Sequence, residues 1–414
     1  MRESRASEPF LPVADRQRAV LTLRVVDLDQ PHSTPLSLTV RPLSSGRSIH
    51  CPGTSVVTSK GLKRGLRSAT TMMGSTIAKL EDRRANFKSA PLVSVLFTSF
   101  NHARYVEEAL DSLRRQTCSD FEVIIIDDAS TDGCADVSAA WLDRTGFQAQ
   151  FIRNKTNRGI CANRNTALGQ ASGTFVCSLS GDDAYEPERI ERQLQCFLSQ
   201  PEDVCAVYSD MAMVDFEGKP QGLSYLESKL NGAEPPQGRI FESLLLNNHL
   251  PAPCVMLRKS AIEAVGGYDE SLFYEDFDMW LRLSFRFRFA FLPARLVRFR
   301  THDESMSHSP RFRVAMCSSR TRILEKWLDA DLGDAIRSRL LDALFWNAAL
   351  QLRIDDSGGA RLTFDDVVRN DHRMTRRWLA RVGKLRGACT IVQLMLPIYR
   401  LIRAARIGWS ARRD

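Results

Sequence analysis

Several patterns that mark common protein classes are missing from this 414-residue chain. Its ten cysteines include no CxxC pair, which argues against a zinc knuckle or a disulfide framework and favours a reducing compartment. It has no run of about 18 apolar residues, so we do not expect a membrane-spanning helix. The first residues lack the apolar core of a signal peptide, and we therefore expect a cytoplasmic protein.

The usual phosphate-binding signatures are also missing. No GxGxxG follows the first predicted strand and no GxxxxGK[ST] occurs, which disfavours a dinucleotide dehydrogenase and a P-loop enzyme. Asp127-Asp128-Ala129 is not the Asp-x-Asp that an aspartyl-phosphate phosphatase would need. No internal repeat is found.

The chain has a net charge of +8, and its positive and negative charges are concentrated in different segments. Residues 1–90 carry +8, residues 91–368 carry −10 and residues 369–414 carry +10. A nucleic-acid groove needs positive charge on the folded binding face, so an acidic centre argues against nucleic acid as a partner. This distribution suits a metal-using core held near an anionic surface.

Residues 1–88 mix short apolar pieces with Pro, Ser, Gly and Arg. We predict a disordered or loosely structured N-terminal extension, with a weak strand at Ala19–Val26. The alternative is that the natural protein begins at Met72 or Met73.

From Pro91 onward, strand patterns alternate with helix patterns of about a dozen residues. This alternation predicts right-handed crossovers and a Rossmann-like, mostly parallel sheet of the nucleotide-binding type. The strands are predicted at residues 92–97, 121–126, 150–153, 174–179, 204–211, 254–257, 287–292 and 296–300, with a long loop at 215–238. The catalytic domain is predicted to span residues 91–308, followed by a helical, basic extension at 309–414.

Pairs of acidic residues follow two of these strands. Asp127-Asp128 ends one strand, and Asp182-Asp183 comes just after another. Because neighbouring parallel strands end side by side, these carboxylates are expected to share one crevice, where a divalent cation would offset their repulsion. The alternative is a solvated turn that only ends a strand.

A third acidic group, Glu275-Asp276 with Asp278, stands at the start of a predicted helix. A helix N-terminus stabilises acids by itself, so a structural role is the alternative for this group. Acids in this number favour a diphosphate held through a metal ion, with Arg158 or Arg164 contributing positive charge.

The order and spacing of these motifs resemble those of family 2 glycosyltransferases of the GT-A fold. The matching motifs are Val93–Asn101, Val123–Asp132, Asn157–Gly159, Ala162–Asn165, Leu179–Asp183, Gly266–Glu270, Glu275–Arg282 and Arg300–His302. The resemblance implies a GT-A fold and an inverting transfer of sugar from a nucleotide-diphosphate donor to a glycan or lipid-linked acceptor.

By this resemblance, the end of the first strand and the Asp-Asp turn hold the donor nucleotide. Thr98, Ser99, Phe100 and Asn101 would line the base and ribose, with the Phe100 ring available for stacking. Asp127 or Asp128 would accept a hydrogen bond from the base, and Arg164 would contact the base or the diphosphate.

The family's Asp-x-Asp maps onto Ser180-Gly181-Asp182, so a serine replaces the first acid. Asp182 is then the predicted ligand of Mn²⁺ or Mg²⁺, with Asp183 supporting it or contacting the donor sugar and Ser180 facing the nucleotide sugar. His302 either completes the metal sphere or is structural, as a lone histidine usually is.

Glu275-Asp276 matches the family's catalytic-base motif. Asp276 would accept the proton of the acceptor hydroxyl. Trp280 and Tyr268 could stack on a sugar, but core packing is the simpler interpretation. The rival functions are a catalytically inactive GT-A assembly or binding protein and a sugar-nucleotide pyrophosphorylase, although residues 97–105 lack the glycine-rich loop of the latter.

Near the C-terminus an apolar stripe is flanked by arginines. The stripe comprises Ile391, Leu394, Met395, Ile398, Leu401 and Ile402. Such a basic amphipathic helix either lies in an anionic bilayer interface or packs on the enzyme's own surface. Our hypothesis is peripheral attachment to the inner face of the plasma membrane.

Overall fold

The computed structural model describes residues 91–303, 305, 309, 312–354, 356–371, 377, 380 and 381. The predicted N-terminal extension, its strand at Ala19–Val26 and the basic amphipathic stripe of residues 391–402 lie outside this part of the chain. The described residues include no helix that is both long and apolar enough to cross a bilayer.

Eight strands and eleven α-helices lie within the described residues. The strands are β1 (Val93–Ser99), β2 (Phe121–Asp127), β3 (Gln150–Arg153), β4 (Phe175–Ser180), β5 (Ala184–Tyr185), β6 (Val204–Val214), β7 (Val255–Arg258) and β8 (Arg288–Arg300). The helices are α1 (Val106–Arg114), α2 (Cys134–Thr145), α3 (Ile160–Gln170), α4 (Arg189–Leu198), α5 (Tyr225–Leu230), α6 (Phe241–Leu246), α7 (Lys259–Ala264), α8 (Glu275–Arg286), α9 (Arg313–Glu325), α10 (Asp334–Arg353) and α11 (Ser357–Asn370).

The strands form one mixed sheet in the order β3-β2-β1-β4-β7-β6-β8-β5. Pairing is parallel for β1 with β2 and β4, for β2 with β3 and for β6 with β8, and antiparallel elsewhere. In this register Ser99 lies opposite Asp127, and Thr98 lies opposite Ser180. The carboxyl ends of β1, β2 and β4 therefore meet at one edge, as predicted for a ligand crevice.

The central strands are nearly continuous apolar runs because both faces of the sheet are covered. Leu96, Ile124 and Val176 point into one core cluster, whereas Val95 and Cys177 point into a second cluster on the other face. Alternate residues of a strand face opposite sides, so each central strand contributes to both clusters.

Two elements differ from the sequence-based expectations. The strands predicted at 287–292 and 296–300 are one strand, β8. This strand pairs in parallel with β6, and the pairing contains register shifts at Tyr208 and Asp210. The predicted loop at 215–238 contains α5. Its N-cap is Ser224, whose side chain accepts from the Glu227 N–H while the Glu227 carboxylate accepts from the Ser224 N–H, a capping box that its sequence contains.

The helical extension packs on the same core as the sheet. Ile323 and Leu324 of α9 and Leu344 of α10 belong to the cluster that also contains Leu244 of α6 and Trp280 of α8. The predicted domain boundary at residue 308 is thus crossed by continuous apolar packing, and α9 lies beside the helix that begins with Glu275.

Candidate active site

A cleft of about 970 Å³ opens where the carboxyl ends of β1, β2 and β4 meet. Its walls contain every predicted site residue except Asp127 and His302, namely Thr98, Ser99, Phe100, Asn101, Asp128, Arg158, Arg164, Ser180, Asp182, Asp183, Glu275 and Asp276. Thr98 and Asp276 are 178 positions apart in sequence. They reach one cavity because the sheet aligns the strand ends and α8 begins beside them.

The two carboxylates that follow β2 have different surroundings. Asp128 Oδ1 accepts from the Arg158 N–H (2.8 Å) and from Asn154 Nδ2 (2.9 Å), and its Oδ2 accepts from the Gly159 N–H (2.9 Å). Asp128 therefore fixes the loop that carries Arg158 along the cleft. Arg158 itself is exposed.

Asp127 is buried and does not line the cleft. Its carboxylate accepts from the hydroxyl groups of Ser99 (3.2 Å) and Ser130 (2.7 Å) and from the Ser130 N–H (2.9 Å). The base contact stays a prediction, and of the two carboxylates named for it Asp128 is the one that lines the cleft. The Asp127 side chain turns inward and holds the turns after β1 and β2 together.

The turn after β1 shapes the wall on the nucleotide side. Asn101 has a left-handed backbone (φ 58°), which asparagine tolerates better than most residues. Its Oδ1 accepts from the Thr131 N–H (2.8 Å), so its side chain ties this turn to the one after β2. Phe100 is 37% exposed and lines the cleft, where its ring is free to stack on a flat ligand.

Two histidines flank Asp182. His302 Nε2 lies 3.2 Å and His102 Nε2 lies 3.7 Å from Asp182 Oδ2. One ligand atom from each of the three residues lies within 4.8 Å of the others. Burial alone would raise the pKa of the Asp182 carboxyl, but His102 and His302 bring it below its ordinary value. His302 does not line the cleft, yet it contacts the metal-ligand candidate Asp182, and its role as a metal ligand stays a prediction.

These three residues fit a divalent cation. An ionised carboxylate and two imidazole nitrogens form a recognised donor set for first-row divalent metals. His102 Nδ1 is buried without a hydrogen-bond partner among the described residues, so this ring is only partly satisfied by the protein. Sequence reasoning gave no argument for His102, because its partners lie 80 and 200 residues further along the chain.

Asp183 lines the same cleft as Asp182 and is hydrogen-bonded to the strand that leads to His302. Its Oδ1 accepts from the Arg300 N–H (3.0 Å), and burial followed by the charge of Asp182 raises the pKa of the Asp183 carboxyl well above its ordinary value. Asp183 therefore connects the end of β4 to β8, the strand that leads to His302.

Glu275 and Arg164 form a buried ion pair in the wall of the cleft. Arg164 Nη2 lies 3.3 Å from Glu275 Oε1, and its Nη1 donates to Ser178 Oγ (2.9 Å). The guanidinium also lies 5.5 Å from the centroid of the buried Tyr268 ring. In the structure Arg164 pairs with the neighbour of Asp276 and also lines the cleft, and its contact with the base or the diphosphate stays a prediction.

Asp276 differs from its neighbour in having no cation beside it at salt-bridge distance among the described residues. Asn248 Nδ2 lies 3.5 Å from Asp276 Oδ1 and donates to the Tyr274 hydroxyl (3.0 Å). Burial, followed by the negative charge of Glu275, raises the pKa of the Asp276 carboxyl to about 8. A carboxylate of this basicity, facing a cleft, is able to accept a proton near neutral pH.

The predicted core roles of the two aromatic residues agree with their positions. Trp280 is buried and donates from Nε1 to the Leu250 carbonyl (3.1 Å), and Tyr268 is buried against Arg164. The cleft residues that sequence reasoning missed include, besides His102, Asn248, Tyr274 and Arg320. Asn248 and Arg320 lie on loops or helices outside the recognised motifs.

Solved structures establish the class of fold. S. aureus TarS residues 1–349, crystallised with UDP-GlcNAc, matches 74% of this chain and 91% of its own with a TM-score of 0.54 and 19% identity. A longer TarS chain matches with a TM-score of 0.52, and this protein spans 55% of it. The predicted GT-A fold with a helical C-terminal extension is confirmed.

Sequence comparisons then identify the family. The Glycosyl transferase family 2 model matches residues 94–266. EpsE of Bacillus subtilis, assigned as a glycosyltransferase, is 30% identical over 200 residues, which cover 47% of this chain and 67% of EpsE. TuaG of the same organism, assigned to teichuronic acid biosynthesis, is 32% identical over 150 residues, 34% of this chain and 58% of TuaG. The chain belongs to glycosyltransferase family 2.

Proposed function

We propose that this protein transfers a sugar from a nucleotide-diphosphate donor to a glycan or lipid-linked acceptor, by metal-dependent single displacement with inversion at the anomeric carbon. The observation that carries the proposal is that one cleft is lined by Asp182 and His102, which His302 joins from behind the wall, and by the basic carboxyl of Asp276. The assignment of TuaG to a polysaccharide pathway supports a glycan product.

In this proposal the donor nucleotide lies against Thr98, Ser99 and Phe100, beside the loop that Asp128 fixes. Phe100 stacks on the base, and Arg158 supplies positive charge at the exposed edge. The diphosphate then points toward Asp182 at the end of β4.

His102, Asp182 and His302 would hold the cation, and two imidazole nitrogens in the donor set favour Mn²⁺ over Mg²⁺. When bound, the cation acts as a Lewis acid that neutralises charge on the diphosphate leaving group. Ser180 and Asp183 flank this position. The bond between Asp183 and the Arg300 N–H holds the end of β4 next to β8.

Asp276 removes the proton from the acceptor hydroxyl as its oxygen bonds to the anomeric carbon. The bond between that carbon and the diphosphate oxygen breaks, and its electron pair leaves with the nucleoside diphosphate. Because the new bond forms on the face opposite the leaving group, the anomeric configuration inverts. Arg164 holds Glu275 in place, and the negative charge of Glu275 raises the basicity of Asp276.

The test is hydrolysis of UDP-, GDP- and dTDP-sugars by the full chain with Mn²⁺, followed by NMR of the released sugar. We expect one donor to be hydrolysed with inversion, and Asp182→Ala and Asp276→Asn to abolish hydrolysis while remaining folded. Asp143→Asn, an exposed change on α2, is the matched control. Failure of every nucleoside diphosphate to bind would refute the enzyme function, whereas binding without turnover would favour an inactive assembly protein.

A further inference from the structure

One wall of the cleft contains an arginine, Arg320, that has no carboxylate partner among the residues that the structure describes. Arg320 lies on α9 and lines the cleft. Its Nη2 donates to the Leu246 carbonyl at the end of α6 (3.3 Å), and its Nε is buried with no acceptor among the described residues. Burial lowers the pKa of Arg320 from its ordinary value, but a guanidinium remains a cation at neutral pH.

Arg320 is half-buried, and a cation partly withdrawn from water without a counter-charge is costly unless hydrogen bonds or an anion compensate it. Arg164 shows the usual solution in the same cleft, because it pairs with Glu275. Around Arg320 the described residues provide one carbonyl and the face of Phe277, whose centroid lies 5.2 Å from the guanidinium carbon. The bond from Nη2 to Leu246 is the one hydrogen bond that this guanidinium makes with described residues, so the N–H groups of Nη1 remain for a ligand.

The position of Arg320 relates it to Asp276. Arg320 and Tyr274 lie close enough for the charge of each to affect the pKa of the other. Asn248 then connects the Tyr274 hydroxyl to Asp276. A ligand on Arg320 would therefore lie within a few side chains of the proposed base.

The surrounding wall suits a sugar that carries an anion. Phe273 and Phe312 stack on each other at 5.4 Å and both line the cleft, which offers an apolar surface to a sugar ring. Lys229 of α5 adds a second positive charge to the lining. In the proposed function the donor diphosphate lies at Asp182, so these groups remain for the acceptor.

We propose that Arg320 binds an oxyanion of the acceptor, a phosphate or a carboxylate, and thereby positions the acceptor hydroxyl at Asp276. This rests on the proposed function. Arginine suits both groups because its planar fork of N–H donors binds them in a bidentate manner. Lipid-linked acceptors offer the phosphate, and acidic glycans offer the carboxylate.

The experiment is a ligand-observed NMR titration of the full chain with glucose 6-phosphate, glucuronate and neutral methyl glucoside, with Mn²⁺ and a nucleoside diphosphate present. We expect one of the two anionic sugars to bind at least tenfold more tightly than methyl glucoside. The preferred anion then distinguishes a phosphate-bearing from a carboxylate-bearing acceptor. Arg320→Gln should remove the preference, whereas Arg322→Gln should retain it, because Arg322 is exposed on the same helix and bonds Ser271.

Three results would overturn the inference. The first is that the wild-type protein binds all three sugars equally. The second is that the preference for an anion persists in Arg320→Gln. The third is that Arg320→Gln weakens nucleoside diphosphate binding and leaves the binding of anionic sugars unchanged. Arg320→Met, which retains the contact with Phe277, serves if the glutamine variant does not fold. Failure of the proposed function is separate, because it appears as loss of nucleoside diphosphate binding by the wild-type protein.

Discussion

Asp276→Asn should make this protein more stable and inactive at the same time. Asparagine has the shape of the carboxylic acid but does not ionise, so it removes the cost of holding a buried negative charge beside Glu275. The pKa of Asp276 is raised from 3.8 to about 8, and each unit corresponds to about 1.36 kcal/mol, which sets an upper bound on the order of 5 kcal/mol. Water in the cleft screens the charge and reduces this cost, so we expect about 2 kcal/mol.

The effect has a definite dependence on pH. Because the pKa is raised in the folded state, the native protein retains a proton that the unfolded chain releases. The stability contributed by Asp276 is therefore full below about pH 4 and is lost as the pH rises to about 8. The advantage of Asp276→Asn should be small at pH 5 and largest at pH 9, where it corresponds to about 5 °C in Tm.

Calorimetry of both proteins at pH 5, 7 and 9, in EDTA and without donor, measures this difference. In parallel, wild-type donor hydrolysis should rise with pH and level off above about pH 8, while the asparagine variant should be slower by about two to four orders of magnitude. Asp143→Asn should change neither quantity. A stability difference that does not depend on pH, or an active asparagine variant, would refute this reasoning.

Three further changes test other parts of the site. His102→Ala should weaken Mn²⁺ binding by about ten- to a hundredfold, measured by EPR of free Mn²⁺ without turnover, and unchanged affinity would remove His102 from the metal site. Asp128→Ala deletes three hydrogen bonds to the loop at Arg158. It should lower the free energy of unfolding by about 2 kcal/mol in a urea titration, and it should weaken nucleoside diphosphate binding in a thermal-shift assay. Gly173→Ala places a Cβ within 2.6 Å of the Ser94 nitrogen and should cost about 2 kcal/mol in urea unfolding; a neutral effect would show that the backbone adjusts.

The parts of the site that follow strand ends could be predicted from the sequence. Apolar runs that stop at Asp128 and Asp182 define strands and their carboxyl ends, and parallel pairing brings these ends together. The meeting of parallel strand ends at one edge therefore predicts the position of the cleft from the sequence. The family motifs then indicated a separate role for each acidic pair, and the match to family 2 confirmed the resemblance.

Side-chain direction could not be predicted in the same way. Asp127 and Asp128 are adjacent in sequence, yet one faces the protein and the other supports the cleft, because successive residues at a strand end point to opposite sides. Arg164 pairs with Glu275 across more than a hundred residues. His102 and Arg320 acquire their positions only when distant segments pack together, so local patterns carry no signal for either.

The shared core of α9 and the sheet has a consequence for how acceptor preference can change. Arg320 belongs to a helix whose Ile323 and Leu324 are buried among the residues that support α8. The element that we assign to acceptor recognition is therefore not an exchangeable module, since replacing it would remove part of the foundation of Asp276. New acceptors would be reached by single changes on the cleft face of α9, and chimeras that graft a foreign extension at residue 309 should fold poorly.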